Sequence, residues 1–275
     1  MPVFRKTNTA VCVRRGWLAF FPPTATPIKS FRSSGAVSMN IIRLIVIAAL
    51  GFSCVAHAQV SSTLALTSEY QVRGIGYSGN DPALSLSLDW AGESGLFVGA
   101  WATNTDSYES GNPYDDGANI EIDFYGGYNG QLENGLRYGV IGYYYTFPST
   151  NYNINYPEIG FSLGYGNLNT YLYYSNDMIS TSQSSQYVAA DYTFNLPLAV
   201  DLTFLAGHSF GEYFRQTEMT GAHEYSNWEV ALKRSFGPVN TKLSWVDTDL
   251  SGRYYNSGEY LRNDGRLIFT VSHTF

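Results

Sequence analysis

Leu84-Ser85-Leu86-Ser87-Leu88-Asp89-Trp90 is the stretch whose reading decides the fold. Three leucines and a tryptophan occupy one set of alternate positions, and two serines and an aspartate occupy the other. Side chains on a strand point alternately to opposite faces, so this segment has one apolar and one polar side. The same period recurs along the chain. In 120–128, Ile120, Ile122, Phe124, Gly126 and Tyr128 alternate with Glu121, Asp123, Tyr125 and Gly127. In 188–204, Val188, Ala190, Tyr192, Phe194, Val200, Leu202 and Phe204 stand against Asp191, Thr193, Asp201 and Thr203. Trp228, Val230 and Leu232 enclose Glu229 and Ala231. At the end, Leu267, Phe269, Val271, His273 and Phe275 alternate with Ile268, Thr270, Ser272 and Thr274.

Twelve such runs can be placed: about 62–73, 82–91, 95–104, 118–129, 135–146, 154–165, 167–175, 185–195, 198–208, 223–236, 238–247 and 262–275. Most are longer than an ordinary globular strand and suit a tilted strand crossing a bilayer, which needs about 9–11 residues. The connections between them alternate long and short. Gly74–Asp81, Thr105–Gly117, Phe147–Asn153, Asn176–Ser184, Ser209–Ala222 and Thr248–Leu261 are the long ones; Gly92–Ser94, Gly130–Asn134, Gly166, Leu196–Pro197 and Gly237 are short. An up-and-down transmembrane barrel has short periplasmic turns and longer external loops, and a soluble sandwich has no reason to keep that parity. The expectation is an all-β, closed, antiparallel transmembrane β-barrel of about 12 strands with both termini in the periplasm. Closure removes the sheet edges, whose unpaired backbone groups lipid cannot solvate.

Residues 1–58 are a different material, with seven basic residues and no acid. Met39 opens an export signal: Asn40–Arg43 form a positive segment, Leu44–Val55 an apolar run, and Ala56-His57-Ala58 a cleavage site that leaves Gln59 as the mature N-terminus. Residues 1–38 are read as an upstream start-site misassignment or a disposable extension, 39–58 as a signal peptide, and 59–275 as the outer-membrane barrel. The charge then changes meaning. The whole chain is −7, with 16 basic and 23 acidic residues; removing seven bases leaves 9 − 23 = −14. Both cysteines, Cys12 and Cys54, precede the cut, so the exported chain needs no disulfide. The chain is only 14% charged, against roughly 25% in average proteins. That excludes a coiled coil, a disordered acidic tail and a basic nucleic-acid binder.

Several segments resemble a known family, the TorF porin family. They are Ser68-Glu69-Tyr70-Gln71-Val72-Arg73-Gly74-Ile75, Asp81-Pro82-Ala83-Leu84, Ser94–Trp101, Asp116–Tyr128 and Tyr143-Tyr144-Tyr145-Thr146-Phe147-Pro148. The likeness is best over residues 60–175. Phe147 stands where the family pattern has Tyr before the proline. The resemblance implies an outer-membrane barrel called a porin by analogy, with no agreed substrate, catalytic or ligand residues.

If the apolar face meets lipid, the other face lines the lumen. The pore-lining candidates are Glu69, Arg73, Asp89, Glu121, Asp123, Arg137, Glu158, Asp191, Asp201, Glu229, Lys233 and Lys242, eight acids and four bases. An acidic lining favours cations. Phe269, Val271 and Phe275 form the expected signal for the outer-membrane assembly machinery. Tyr70, Trp90, Trp101, Tyr128, Tyr138, Tyr144, Trp228 and Trp245 are candidates for interfacial girdles. No cofactor, catalytic residue or metal site is expected, and the chain is read as no enzyme. His208 beside Ser209, with His223 across the loop, is the one weak catalytic constellation; Asp106, Glu109, Asp115 and Asp116 make one loop acidic. Gly74-Ile75-Gly76 has no helix after it and fails as a dinucleotide fingerprint. The expected function is a porin-like channel for passive passage of small hydrophilic solutes or ions, cation-favouring. Its partners are outer-membrane lipid and lipopolysaccharide, the assembly machinery and the solutes, with no nucleic acid. The alternatives are a structural or adhesion-type barrel with a plugged lumen, acting through its external loops, and a surface enzyme.

Overall fold

The computed structural model describes residues 59–106, 117–215, 223–250 and 262–275. The extension and the signal peptide lie outside the described residues, as do Glu109, Asp115 and Asp116. Twelve strands close a barrel: β1 (Gln59–Thr67), β4 (Ala83–Ala91), β5 (Leu96–Asn104), β6 (Ile120–Gln131), β7 (Arg137–Thr146), β8 (Tyr156–Tyr165), β9 (Leu168–Ser175), β10 (Ser185–Leu196), β11 (Val200–Phe210), β12 (Tyr225–Phe236), β13 (Val239–Thr248) and β14 (Arg266–Thr274). Each pairs antiparallel with its chain neighbour, and β1 pairs with both β4 and β14, which removes the edge. Two further strands, β2 (Gln71–Val72) and β3 (Ile75–Gly76), form a separate small hairpin.

The alternation decides which way the sheet curls. Leu84, Leu86 and Leu88 face outward at 55%, 52% and 59% exposure, while Ser87 between them is buried. Directly opposed outward pairs continue the apolar surface around the barrel: Leu66 with Leu84, Phe124 with Tyr144, Val140 with Phe161, Leu232 with Leu243, Leu243 with Phe269. In water each such residue would forgo about 1.5–3 kcal/mol of burial; against hydrocarbon it forgoes nothing.

Strand tilt follows from the register. Directly opposed residues lead from Thr67 through Thr270, Lys242, Lys233 and Asp201 to Asn195. That row starts at the long-loop end of β1 and ends at the short-turn end of β10. Such a stagger is what a tilted, closed sheet requires.

Two expectations need correction. The run 62–73 is not one strand. The strand ends at Thr67, whose hydroxyl donates to the Glu69 carbonyl (3.0 Å), and the chain then turns into the lumen. Tyr70 and Trp101 are not girdle residues. They lie inside the barrel with ring centroids 5.4 Å apart, and Tyr70 is 2% exposed. Parity assigns Trp101 inward, since it stands opposite the inward Asp123. The other girdle candidates face outward, Trp90 near one short turn, Tyr128 and Tyr138 (6.1 Å) near another, and Tyr144, Trp228 and Trp245 toward the long loops.

Candidate functional site: the occupied lumen

The feature that organises the lumen is the hairpin 71–76. Arg73 (φ 52°) and Gly74 (φ 86°) form its two-residue tip. Positive φ at both positions is the turn that suits strand twist and that Asn-Gly fits best. Arginine there costs about 1 kcal/mol in backbone strain, so its side chain must supply the reason for its presence. The base of the hairpin is tied by Ser78, whose hydroxyl accepts from the Tyr70 amide (2.9 Å) and donates to the Asp81 carbonyl (2.7 Å). Glu69 pairs with Arg266 at the start of β14, both buried, at 2.5 Å. Arg266 also donates to the carbonyls of Gly74 (3.1 Å) and Asp264 (2.9 Å). At the rim, Arg262 forks onto Asp264; this bonding holds the Asp264 carboxyl below the usual carboxylate range.

From this anchored base Arg73 reaches the opposite wall. Its guanidinium donates to both carboxylate oxygens of Glu158 on β8 (2.8 and 2.6 Å). It also lies over the rings of Tyr187 (4.5 Å) and Tyr173 (5.3 Å). Glycines make room for these rings. A Cβ on Gly160 would come within 2.6 Å of the Tyr173 ring, and one on Gly207 within 2.1 Å of the Tyr187 hydroxyl. Around them Phe97, Tyr125, Ile141, Tyr143, Tyr145 and Tyr156 fill one side of the lumen. Above the hairpin, Ile75 packs with Tyr213, Phe214 and Tyr225 from the long-loop end.

All twelve pore-lining candidates lie on the inner side. Glu69 and Arg73 do so from the hairpin rather than from a strand. Glu121 accepts from the Tyr70 hydroxyl (2.9 Å); Asp89 accepts from Ser87 (2.9 Å) and from Tyr125. Asp123 is buried beside Trp101. Toward the short turns, Arg137 donates to Asn169 (3.0 Å) and to the Gly166 carbonyl (2.9 Å). Asp191 accepts from Asn169 (3.0 Å) and Tyr171 (2.6 Å), and Asp201 from Asn195 (2.9 Å). Lys233 stands between Asp201 and Lys242 in register, and Lys242 pairs with Glu229. Phe269, Val271 and Phe275 share the outward face, and the Phe275 amide donates to the Ser62 carbonyl across the seam (2.8 Å).

The histidine constellation does not assemble. His208 faces outward and Ser209 inward, where it is fully buried. His208 Nδ1 meets Ser226 instead (3.1 Å). Asp249 accepts from the Ser226 amide (2.7 Å), so the acid stands on the serine's side rather than orienting the imidazole, as a catalytic triad requires. Among the described residues no group of three or more His, Cys, Asp or Glu is arranged to hold a metal ion.

The reading from residue pattern missed Arg266, the tyrosine lining and the inward hairpin. Parity alone would have placed Arg266 inward, one step before the outward Leu267. Counting Arg266, eight carboxylates face five cations, an excess of three negative charges among these described residues.

A closed antiparallel barrel, apolar outside and charged within, defines a transmembrane β-barrel. The chain belongs to the Gcw_chp family, described as a bacterial protein of unknown function, whose model matches residues 53–275. No curated protein matches significantly. Solved structures that are similar include the KdgM porin (8% identity, 80% of this chain and 99% of that one, TM-score 0.44). They also include Salmonella typhi OmpF in complex with daunomycin (11%, 79% and 97%, 0.37). An outer membrane channel from Pseudomonas putida F1 is a third (12%, 79% and 95%, 0.39). Identities and TM-scores this low leave function to this chain's own residues.

Proposed function

We propose that the protein is a porin-like channel of the bacterial outer membrane, passing small hydrophilic solutes or ions by diffusion and favouring cations. The TorF resemblance also implies an outer-membrane barrel called a porin by analogy, with no agreed substrate. The observation that carries the channel reading is the lumen face: among the described residues thirteen charged side chains point inward, eight of them carboxylates and five of them cations. Charges held inside a barrel are paired or hydrated, and a wall with more acids than bases attracts cations. Residues 39–58 act as the cleaved signal peptide, the termini lie in the periplasm, and Phe269, Val271 and Phe275 are read by the assembly machinery. The outer face meets lipid, and the external loops meet lipopolysaccharide.

A second reading has a specific observation in its favour. The hairpin and the cluster of Ile75, Tyr213, Phe214 and Tyr225 occupy the long-loop end of the lumen, as in a barrel that acts structurally or adhesively through its loops. Liposome swelling separates the two. The channel reading predicts that vesicles carrying refolded 59–275 swell in a pentose and not in a large oligosaccharide. Swelling in neither, from protein that migrates on gels as a folded barrel, would overturn it in favour of the plugged barrel.

A further inference from the structure

Arg73 occupies a receptor that belongs entirely to the barrel wall. Glu158 comes from β8, Tyr173 from β9 and Tyr187 from β10. A carboxylate whose two oxygens both accept from one nitrogen of the cation, with two aromatic faces beside it, is the chemistry that recognises guanidinium and ammonium groups. The wall holds this shape with contacts that do not involve the hairpin. Tyr173 lies against Gly160, and the Tyr187 ring lies against Gly207. The Tyr187 hydroxyl donates to Asn227 (3.1 Å), and that of Tyr145 donates to Glu158 (3.4 Å). The cation, by contrast, arrives on the tip of a turn whose backbone suits asparagine better than arginine. The receptor is therefore built on rigid strands, and its occupant on a loop.

We propose that Glu158, Tyr173 and Tyr187 form a subsite for the guanidinium or primary ammonium group of a solute. Arg73 fills that subsite until such a solute competes for it. Its part in transport rests on the channel reading; the binding itself does not. A chain-borne occupant suppresses the apparent affinity of any free competitor, so removing Arg73 exposes the subsite.

The test uses refolded 59–275 in detergent and agmatine, which carries a guanidinium at one end and an ammonium at the other. The tyrosine near-UV circular dichroism is followed during titration of wild type, Arg73→Ala and Arg73→Ala/Glu158→Gln. The expected result is a saturable response in Arg73→Ala, about tenfold or more tighter than in wild type. It is lost in the double variant and not reproduced by sodium chloride at equal ionic strength. No saturable response in Arg73→Ala, or one that survives Glu158→Gln, overturns the proposal. If Arg73→Ala does not give a folded, heat-modifiable band, Arg73→Gln keeps the volume without the charge and is judged by the same criteria. Bilayer current from the same preparations separates the two readings. Agmatine binding without current steps upholds the subsite and sinks the channel, and steps without agmatine binding sink the subsite alone.

Discussion

Glu69→Gln should loosen the inner hairpin while leaving the barrel closed. The substitution keeps the shape and one acceptor and removes only the charge. Arg266, buried at the start of β14, then loses its counter-ion. Removing one partner of a buried ion pair costs about 3–5 kcal/mol; because Gln still accepts one hydrogen bond, about 3 kcal/mol is the expected figure. The twelve-strand ladder does not pass through Glu69, so the cost falls on the segment 68–78. Opening of that segment becomes roughly 150-fold more frequent, at 1.4 kcal/mol per factor of ten. Trypsin reads this directly. The Arg73–Gly74 bond is its target, and in the closed form the arginine side chain is only 12% exposed. Where opening is fast relative to cleavage, the rate of cutting follows the open population. Mass spectrometry of the fragment ending at Arg73 should therefore show cleavage about two orders of magnitude faster in Glu69→Gln than in wild type, with unchanged far-UV circular dichroism. A rate within threefold of wild type would refute the claim that the Glu69–Arg266 pair anchors the hairpin.

Other consequences can be checked as simply. Leu86→Arg puts a charge on the outward apolar band and should cost about 2–4 kcal/mol of stability in lipid, read as loss of the heat-modifiable band; Ser87→Thr, facing inward beside it, should fold normally. Gly160→Val drives a side chain into the Tyr173 ring, at an expected cost of about 1–3 kcal/mol and with a reduced tyrosine near-UV signal. Phe275→Ala should slow assembly in cells while refolding of the purified chain in detergent is unchanged; equal surface levels in a pulse-chase would count against its role as a signal. Asp191→Asn with Asp201→Asn should move the reversal potential under a salt gradient toward zero, and an unmoved potential would remove these two acids from the selectivity account.

The barrel was legible because lipid outside and a polar lumen inside impose opposite demands on alternate residues. Leu84, Leu86 and Leu88 against Ser87 and Asp89 state that conflict in seven residues, and the length parity of the connections states how the strands are joined. Strand ends fell within a few residues except at Thr67. There the alternation continues into Glu69, Gln71 and Arg73, because a hairpin tip inside a barrel carries the same polar residues as a lumen-facing strand. The pattern therefore showed that these residues point inward and not that the chain itself goes in. The pairings were hidden for a different reason. Glu158 and Arg73 lie 85 positions apart and Glu69 and Arg266 197, and only closure of the barrel brings the first pair together across the lumen and the second beside the β1–β14 seam. The aromatic residues misled through their dual character. Tyr70 and Trp101 have the aromatic body of a girdle residue, yet Tyr70 spends its hydroxyl on Glu121.

Planar-bilayer recording of refolded 59–275 tests the central claim most directly. A lumen whose described residues include eight inward carboxylates and five cations predicts discrete current steps, with a reversal potential under a potassium chloride gradient that lies on the cation side. A bilayer that stays silent, loaded with protein that migrates as a folded barrel, would contradict the claim that ions cross through this lumen.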